Sequence, residues 1–328
     1  VLSDVRNSGS YSSGGYCLKN LQDENGIHME RLLCGSEGTL ALVTEATLLT
    51  SPMDRATVVG LFLFESLDRA AAAVTELVPL GVSACDLFDK RHLALARGVD
   101  STFDRLIDAH YEACLLVEFT GEDTRECESL FAHAVEVVQG QGRLAIHHRR
   151  AETFAEKNLF WRLSRQVTPT LHGVQTTSRA VPLVEDSAIP PAVLAEFLVR
   201  YQNVLKSHAI TATLFGHAGH GQMHVRPFID TSDPESIGRV LQFADAFHEM
   251  VATLGGTIGA EQGCGISRTV HQAQYFPKVT KVFRRIKQAC DPKGSLNPGK
   301  ITDGEGLRNR ARLRPEFLFQ KESAQKAI

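Results

Sequence analysis

The sequence predicts an α+β fold, an antiparallel sheet with helices against one face, on three observations. Short β-branched and aromatic runs alternate with helical apolar patterns, Gly and Pro punctuate the joints, and 328 residues at 43% hydrophobic suffice for a substantial core in one large or two smaller domains. The order strand, helix, strand, strand, helix, strand occurs roughly twice, which suggests a ferredoxin-like duplication. No short sequence repeat accompanies it.

Each element has a local reason. Residues 57–64 read as a strand, and 66–80 as an alanine-rich helix with Leu67, Ala70, Ala71, Val74 and Leu77 on one face. Residues 82–86 and 115–119 read as further strands. A helix over 124–139 stops at Gly140, and one over 151–168 ends at Pro169, because the residue before proline is pushed out of the α region. After a strand over 179–184, Pro190-Pro191 opens a helix through 205, proline being suited to a first turn. Residues 211–215 and 223–225 read as strands. Asp233-Pro234 opens a helix to about 254, stopped by Gly255-Gly256.

Two glycine-rich segments carry the chemistry. Residues 215–224 hold His217, His220 and His224, and Gly216, Gly219 and Gly221 allow left-handed turns that a helix would not need. A strand, a tight turn and a returning strand follow, with His217 and His224 able to converge. Residues 255–265 hold Glu261 among small neighbours. Two imidazoles and a carboxylate suit zinc, manganese or iron with coordination positions left open; the alternative is a hydrogen-bonded trio bracing two turns.

Composition narrows the class. A net charge of −3 gives no footprint for nucleic acid, no apolar run approaches the length of a membrane span, and the first residues have no leader pattern. Seven cysteines without a C-x-x-C pair suggest free thiols in a reducing cytoplasm, and no iron–sulfur ligation is expected within the chain.

Several separated segments, in order, resemble the carboxy-terminal part of the FAD-linked oxidase family, the flavoproteins that include D-lactate, glycolate and D-2-hydroxyglutarate dehydrogenases. Gly14-Gly15-Tyr16 and the segment from Leu33 to Ala46 resemble its G-S-E-G-T-L-x-x-x-T-E-A flavin-site stretch. The segment from Val184 to Pro190 resembles V-E-D-x-A-V-P, the histidine turn G-H-x-G-x-G-x-x-H, the glutamate loop G-G-x-x-x-x-E-H-G-x-G, and residues 290–301 the closing F-D-P-x-x-x-L-N-P-G-K. The likeness runs from about residue 6 to residue 301.

The resemblance implies a flavin- and metal-dependent oxidation of a 2-hydroxy acid, with FAD as cofactor and zinc or manganese held by His217, His224 and Glu261. It implies that Gly35, Ser36, Glu37, Gly38, Thr39 and Asn297 face the flavin. It also divides the chain into a remnant of the FAD-binding domain (1–52), a substrate or cap domain (53–275) and a closing segment with a tail (276–328). The glycine-rich loop that would cradle the FAD pyrophosphate is not in this sequence, so the chain is expected to be a fragment that needs an N-terminal FAD-binding segment. The tail beyond Ile301, with Arg308, Arg310, Arg312 and Arg314, reads as a linker toward an iron–sulfur domain or another electron acceptor.

Two departures from the family pattern matter. Gln262 stands where relatives carry the histidine credited with proton abstraction, and a neutral amide is no general base. Either His220 takes the proton, or the chain has become a non-catalytic metal-binding module acting in a complex. For the substrate carboxylate, relatives show W-x-x-R, whereas Trp161-Arg162-Leu163-Ser164-Arg165 shifts arginine by one residue, about 100° around a helix. Arg165 is the candidate anchor, with Arg226 as another. His147-His148 reads as a solvated strand end, and His248 as a helix residue facing solvent or a neighbour.

Overall fold

Residues 56–64 are apolar on both sides of the strand, and a strand buried on both faces lies inside a sheet that is covered on both. The computed structural model describes residues 14–165, 169, 171, 178–230 and 232–302. In it this run is β1 (Ala56–Phe64), followed by α1 (Leu67–Leu77), β2 (Ala84–Asp89), α2 (Lys90–Val99), β3 (Ala113–Gly121), α3 (Thr124–Val135), β4 (His147–Arg150) and α4 (Phe154–Arg165). Then come β5 (Ser178–Ala180), β6 (Ser187–Ala188), α5 (Leu194–Ser207), β7 (Thr211–His217), β8 (Gln222–Asp230), α6 (Pro234–Thr253), β9 (Thr257–Ile258), α7 (Gly265–Tyr275) and α8 (Pro277–Cys290).

The strands lie in the order β9-β6-β8-β7-β2-β3-β1-β4, every pairing antiparallel, with β5 added along β8. Two four-strand groups with one internal order meet where β2 pairs with β7. That seam brings Asp86 opposite His217 and Phe88 opposite Phe215.

Helices cover both faces, which corrects the expected single helical layer. Phe62 and Phe64 of β1 join α1, α3, α5 and α6 in one core, while Leu61 and Leu63, pointing the other way, join Leu93 of α2 and Phe160 and Leu163 of α4 in a second. The sequence reading missed α2 because it follows β2 without a loop. Asp89 ends the strand and caps the helix, its carboxylate accepting from His92 N at 2.8 Å. Other boundaries shift: the strand expected at 82–86 is Ala84–Asp89, the one expected at 179–184 keeps only Ser178–Ala180, and α3 gives way at Val135 to a π-helical turn over Glu136–Gln141. The end of the helix expected over 151–168, and the arginines beyond residue 302, lie outside the described residues.

His92 is fully buried between the rings of Phe88 and Phe215, with centroids at 4.8 and 5.4 Å, and its Nε2 donates to Leu163 O at 3.0 Å. Burial pushes its pKa down from 6.5 to about 4. Between these values the unfolded chain holds a proton that the folded protein lacks, so stability is lost as pH falls through that window, by ~3 kcal/mol at the acid end. Denaturant midpoints are expected to decline from pH 6.5 to pH 4, and His92→Leu to flatten the decline.

A third cluster, of Tyr16, Leu18, Leu32, Leu40, Phe283 and Ile301, packs residues 14–40 against α8. Residues 41–54 have no regular structure and expose Leu42, Val43, Leu48, Leu49 and Met53. All seven cysteines are unpaired, and among the described residues no helix is long and apolar enough to cross a membrane.

Candidate functional site

Strand alternation decides which side chains meet. His224 stands opposite Phe215, and Phe215 and His217 are two apart on β7, so all three project from one face of the sheet with Asp86 and Phe88 of β2. The turn between β7 and β8 is closed by Gly221 at φ 75°, where a Cβ would stand 1.8 Å from Ile189 O. Gly216 is equally constrained, since a Cβ there would meet Gln222 O at 2.3 Å.

Asp86 is 2% exposed and binds His217 Nδ1 at 2.6 Å. This hydrogen bond, the largest influence, raises the His217 pKa against the opposing effect of burial. It also fixes the ring and leaves Nε2 outside that bond. His224 is buried and stacks on Phe215 with ring centroids 5.0 Å apart; burial depresses its pKa to about 4, so it is a neutral imidazole near pH 7. Its Nδ1 lies 3.9 Å from Glu185 Oε2 and has no hydrogen-bond partner among the described residues.

Asp186 shapes the opposite wall. It is fully buried at φ 63°, and its carboxylate accepts from the backbone N–H groups of Ala260 (3.1 Å), Glu261 (3.0 Å) and Gln262 (2.9 Å) and from Gln222 Nε2 (2.8 Å). Arg268 holds the same loop by donating to Gly263 O and to Glu185 O. Glu185 in turn pairs with the buried Arg226 at 2.5 Å. The sequence reading assigned no role to Asp86, Glu185, Asp186 or Arg268. The available signal was an acid inside an otherwise apolar strand at Asp86 and adjacent acids at 185–186, since charges buried in such places need partners.

Two adjoining cavities share Asp86 and His217. One of about 370 Å³ is lined by Trp161, His220 and Glu261 among others; one of about 160 Å³ by Ser164, His224, Arg226 and Gln262. His217 thus meets His224 in one cavity and Glu261 in the other. Among the described residues, no three His, Cys, Asp or Glu side chains gather closely enough to hold a metal ion. Glu261 is solvent-exposed.

The other expected residues fall as follows. His220 has its ring 6.3 Å from that of His217, and burial, the first cause, lowers its pKa. Gln262 is exposed on the smaller cavity's rim. Arg165 is on neither wall: it is exposed, its guanidinium 5.7 Å from the Trp161 ring centroid, and Ser164 takes the cavity position as the one-residue helical rotation dictates. Arg162 pairs with Asp100. The strand end His147-His148 is exposed, and His248 is buried with its ring centroid 4.3 Å from that of His271.

The turn 35–39 lies against the glutamate loop. Glu37 accepts from Cys264 N at 2.7 Å and Gly265 N at 2.9 Å, and Asn297 Nδ2 donates to Glu37 O at 2.5 Å. Ser36 and Thr39 are buried, Thr39 Oγ1 donating to Ser36 O. Gly35 and Gly38 have φ of 77° and 67°, and the space where a Gly38 Cβ would stand is open.

Comparison with known proteins agrees with this architecture. The chain is 29% identical over 299 residues to D-2-hydroxyglutarate dehydrogenase of Pantoea ananatis (88% of this chain, 29% of that protein). It is 28% identical over 305 residues to D-lactate dehydrogenase of Archaeoglobus fulgidus (92% of this chain, 62% of that protein). It therefore spans about three tenths of the length of the first and under two thirds of the second. Among solved structures, 4-ethylphenol oxidase from Gulosibacter chungangensis aligns with a TM-score of 0.55 at 16% identity, covering 76% of this chain and 54% of that one, a likeness of fold. Residues 53–301 match the family described as FAD linked oxidases, C-terminal domain, and the chain belongs to that family.

Proposed function

We propose that this chain forms the substrate side of an FAD-dependent dehydrogenase or oxidase acting on a 2-hydroxy acid. The observation that carries the reading is the Asp86–His217 pair, standing beside a neutral His224 with an unpaired nitrogen and across from Glu261. The names of the relatives supply the substrate class. The repeated strand order of the two sheet halves supports the further reading of a duplicated ferredoxin-like domain.

By donor chemistry the residues suit both groups, although among the described residues the three cation donors are not drawn together. A divalent cation would take the imidazoles of His217 and His224 and the Glu261 carboxylate, a donor set that favours zinc or manganese, with Asp86 orienting the first ligand from behind. FAD would lie against the turn 35–39 and Asn297, where Gly38 leaves open space and Glu37 joins that turn to the loop bearing Glu261. The exposed apolar residues from Leu42 to Met53 fit coverage by an FAD-binding segment.

When bound, the flavin supplies a hydride acceptor and the cation a charge that favours an ionised hydroxyl. The chain's own residues do the rest. Asp186 holds Glu261 and Gln262 at the cavity edge, Phe88 and Phe215 exclude water from one side, and His220, neutral near pH 7, takes the hydroxyl proton that Gln262 cannot.

The 2.6 Å bond between the buried Asp86 carboxylate and His217 Nδ1 favours a second reading, in which that pair is itself the base and no metal takes part. Anaerobic flavin bleaching of the full-length protein, with FAD bound, by D-2-hydroxyglutarate, D-lactate and glycolate, with metal content measured by elemental analysis, separates these readings. Bleaching with stoichiometric zinc or manganese is expected. Bleaching without metal favours His217 as base, and none despite bound FAD and metal would leave a non-catalytic metal-binding module.

A further inference from the structure

We propose that Arg226 anchors the second carboxylate of the substrate, so that the preferred substrate is a four- or five-carbon 2-hydroxy diacid rather than a monoacid. The inference rests on the reading above and deepens it. Arg226 is 5% exposed and lines the smaller cavity, yet it gives Glu185 only Nη2; Nε and Nη1 are buried with no hydrogen-bond partner among the described residues. A guanidinium kept only to neutralise Glu185 would present two parallel N–H groups to it. The unmet donors call for an additional acceptor.

Neighbouring groups leave that role open. Arg268 spends its donors on Gly263 O and Glu185 O, and Asp86 is held by His217, so neither competes for a ligand here. Arg226 stands opposite Thr213 and projects from the same sheet face as His224, two residues further along β8, or ~6.8 Å. With the first carboxylate and hydroxyl of a hydroxy acid by His217 and His224, an acidic group at its far end comes within reach of Arg226. Phe88 and Phe215 supply apolar wall for the methylenes between, and the cavity of about 160 Å³ admits a small diacid.

The test compares kcat/KM of the full-length protein, with FAD bound, for D-2-hydroxyglutarate and D-malate with that for D-lactate. The wild type is expected to prefer the diacids, and Arg226→Met to lower the diacid-to-monoacid ratio at least 100-fold, with Arg226→Lys intermediate; equal losses on both substrates would overturn the assignment. Because Arg226→Met strands Glu185, the double variant Arg226→Met/Glu185→Gln is measured alongside and is expected to show the same change in ratio. Calorimetry with glutarate, which has no hydroxyl to oxidise, gives a readout independent of turnover. Glutarate should bind the wild type at least tenfold tighter than butyrate and lose that margin in both variants. A wild type that does not discriminate refutes the anion site, whereas discrimination without flavin bleaching refutes only the proposed reaction.

Discussion

Asp186→Ala is expected to destabilise the protein by about 4 kcal/mol and to abolish turnover together with it. The carboxylate is fully buried and receives three consecutive backbone N–H groups and the Gln222 amide. Truncation leaves those donors without an acceptor around a fully buried position, at about 1–3 kcal/mol for each group that stays unmet, and relaxation of the loop or water at its exposed side recovers part of the loss. Asp186→Asn separates charge from shape. Asparagine tolerates the left-handed backbone at this position and keeps one acceptor oxygen, but it turns an NH₂ toward donors, so about half the loss is expected. Urea unfolding of both variants checks this; a midpoint unchanged in Asp186→Ala would mean that the loop bearing Glu261 is held by something else.

His217→Ala in the full-length protein with FAD bound is expected to reduce kcat/KM by about 10³-fold or more, whether the imidazole serves as cation ligand or, in the second reading, as the base. Asp86→Asn should cost about 10–100-fold, the usual penalty for removing the partner that orients a working imidazole. The two effects should not add in the double variant, because Asp86 acts only through His217. An Asp86→Asn loss that survives in the His217→Ala background would instead make the buried acid a structural residue. His217→Ala with near wild-type turnover would remove the histidine turn from the chemistry.

What the sequence disclosed about this site was local, and what it concealed was long-range. Gly216 and Gly221 marked a turn that admits no Cβ, and period-two alternation then put His217 and His224 on one side. Asp86 meets His217 only because two sheet halves join in one register across 131 residues of chain, which no periodicity announces. The same holds for Asp186 and the loop at 260–262, separated by more than 70 residues. The second helical layer was legible in principle from the two-sided apolar pattern of Ala56–Phe64. Arg165 shows the reverse case: the rotation inferred from a one-residue shift is observed, and it turns that arginine off the wall and Ser164 onto it.

Glu37 receives the N–H groups of Cys264 and Gly265 from 227 residues away, while Phe283 packs its ring edge-on to Tyr16 at 5.1 Å. The stretch before residue 53 and the stretch after 263 are therefore sewn together, and the seam suggested by the family boundary is not a mechanical one. Chimeras built by swapping this region among relatives should carry residues 14–40 and 264–301 as one exchange unit. A graft cut at position 53 would strip a phenylalanine of its cover and leave the start of α7 without its acceptor.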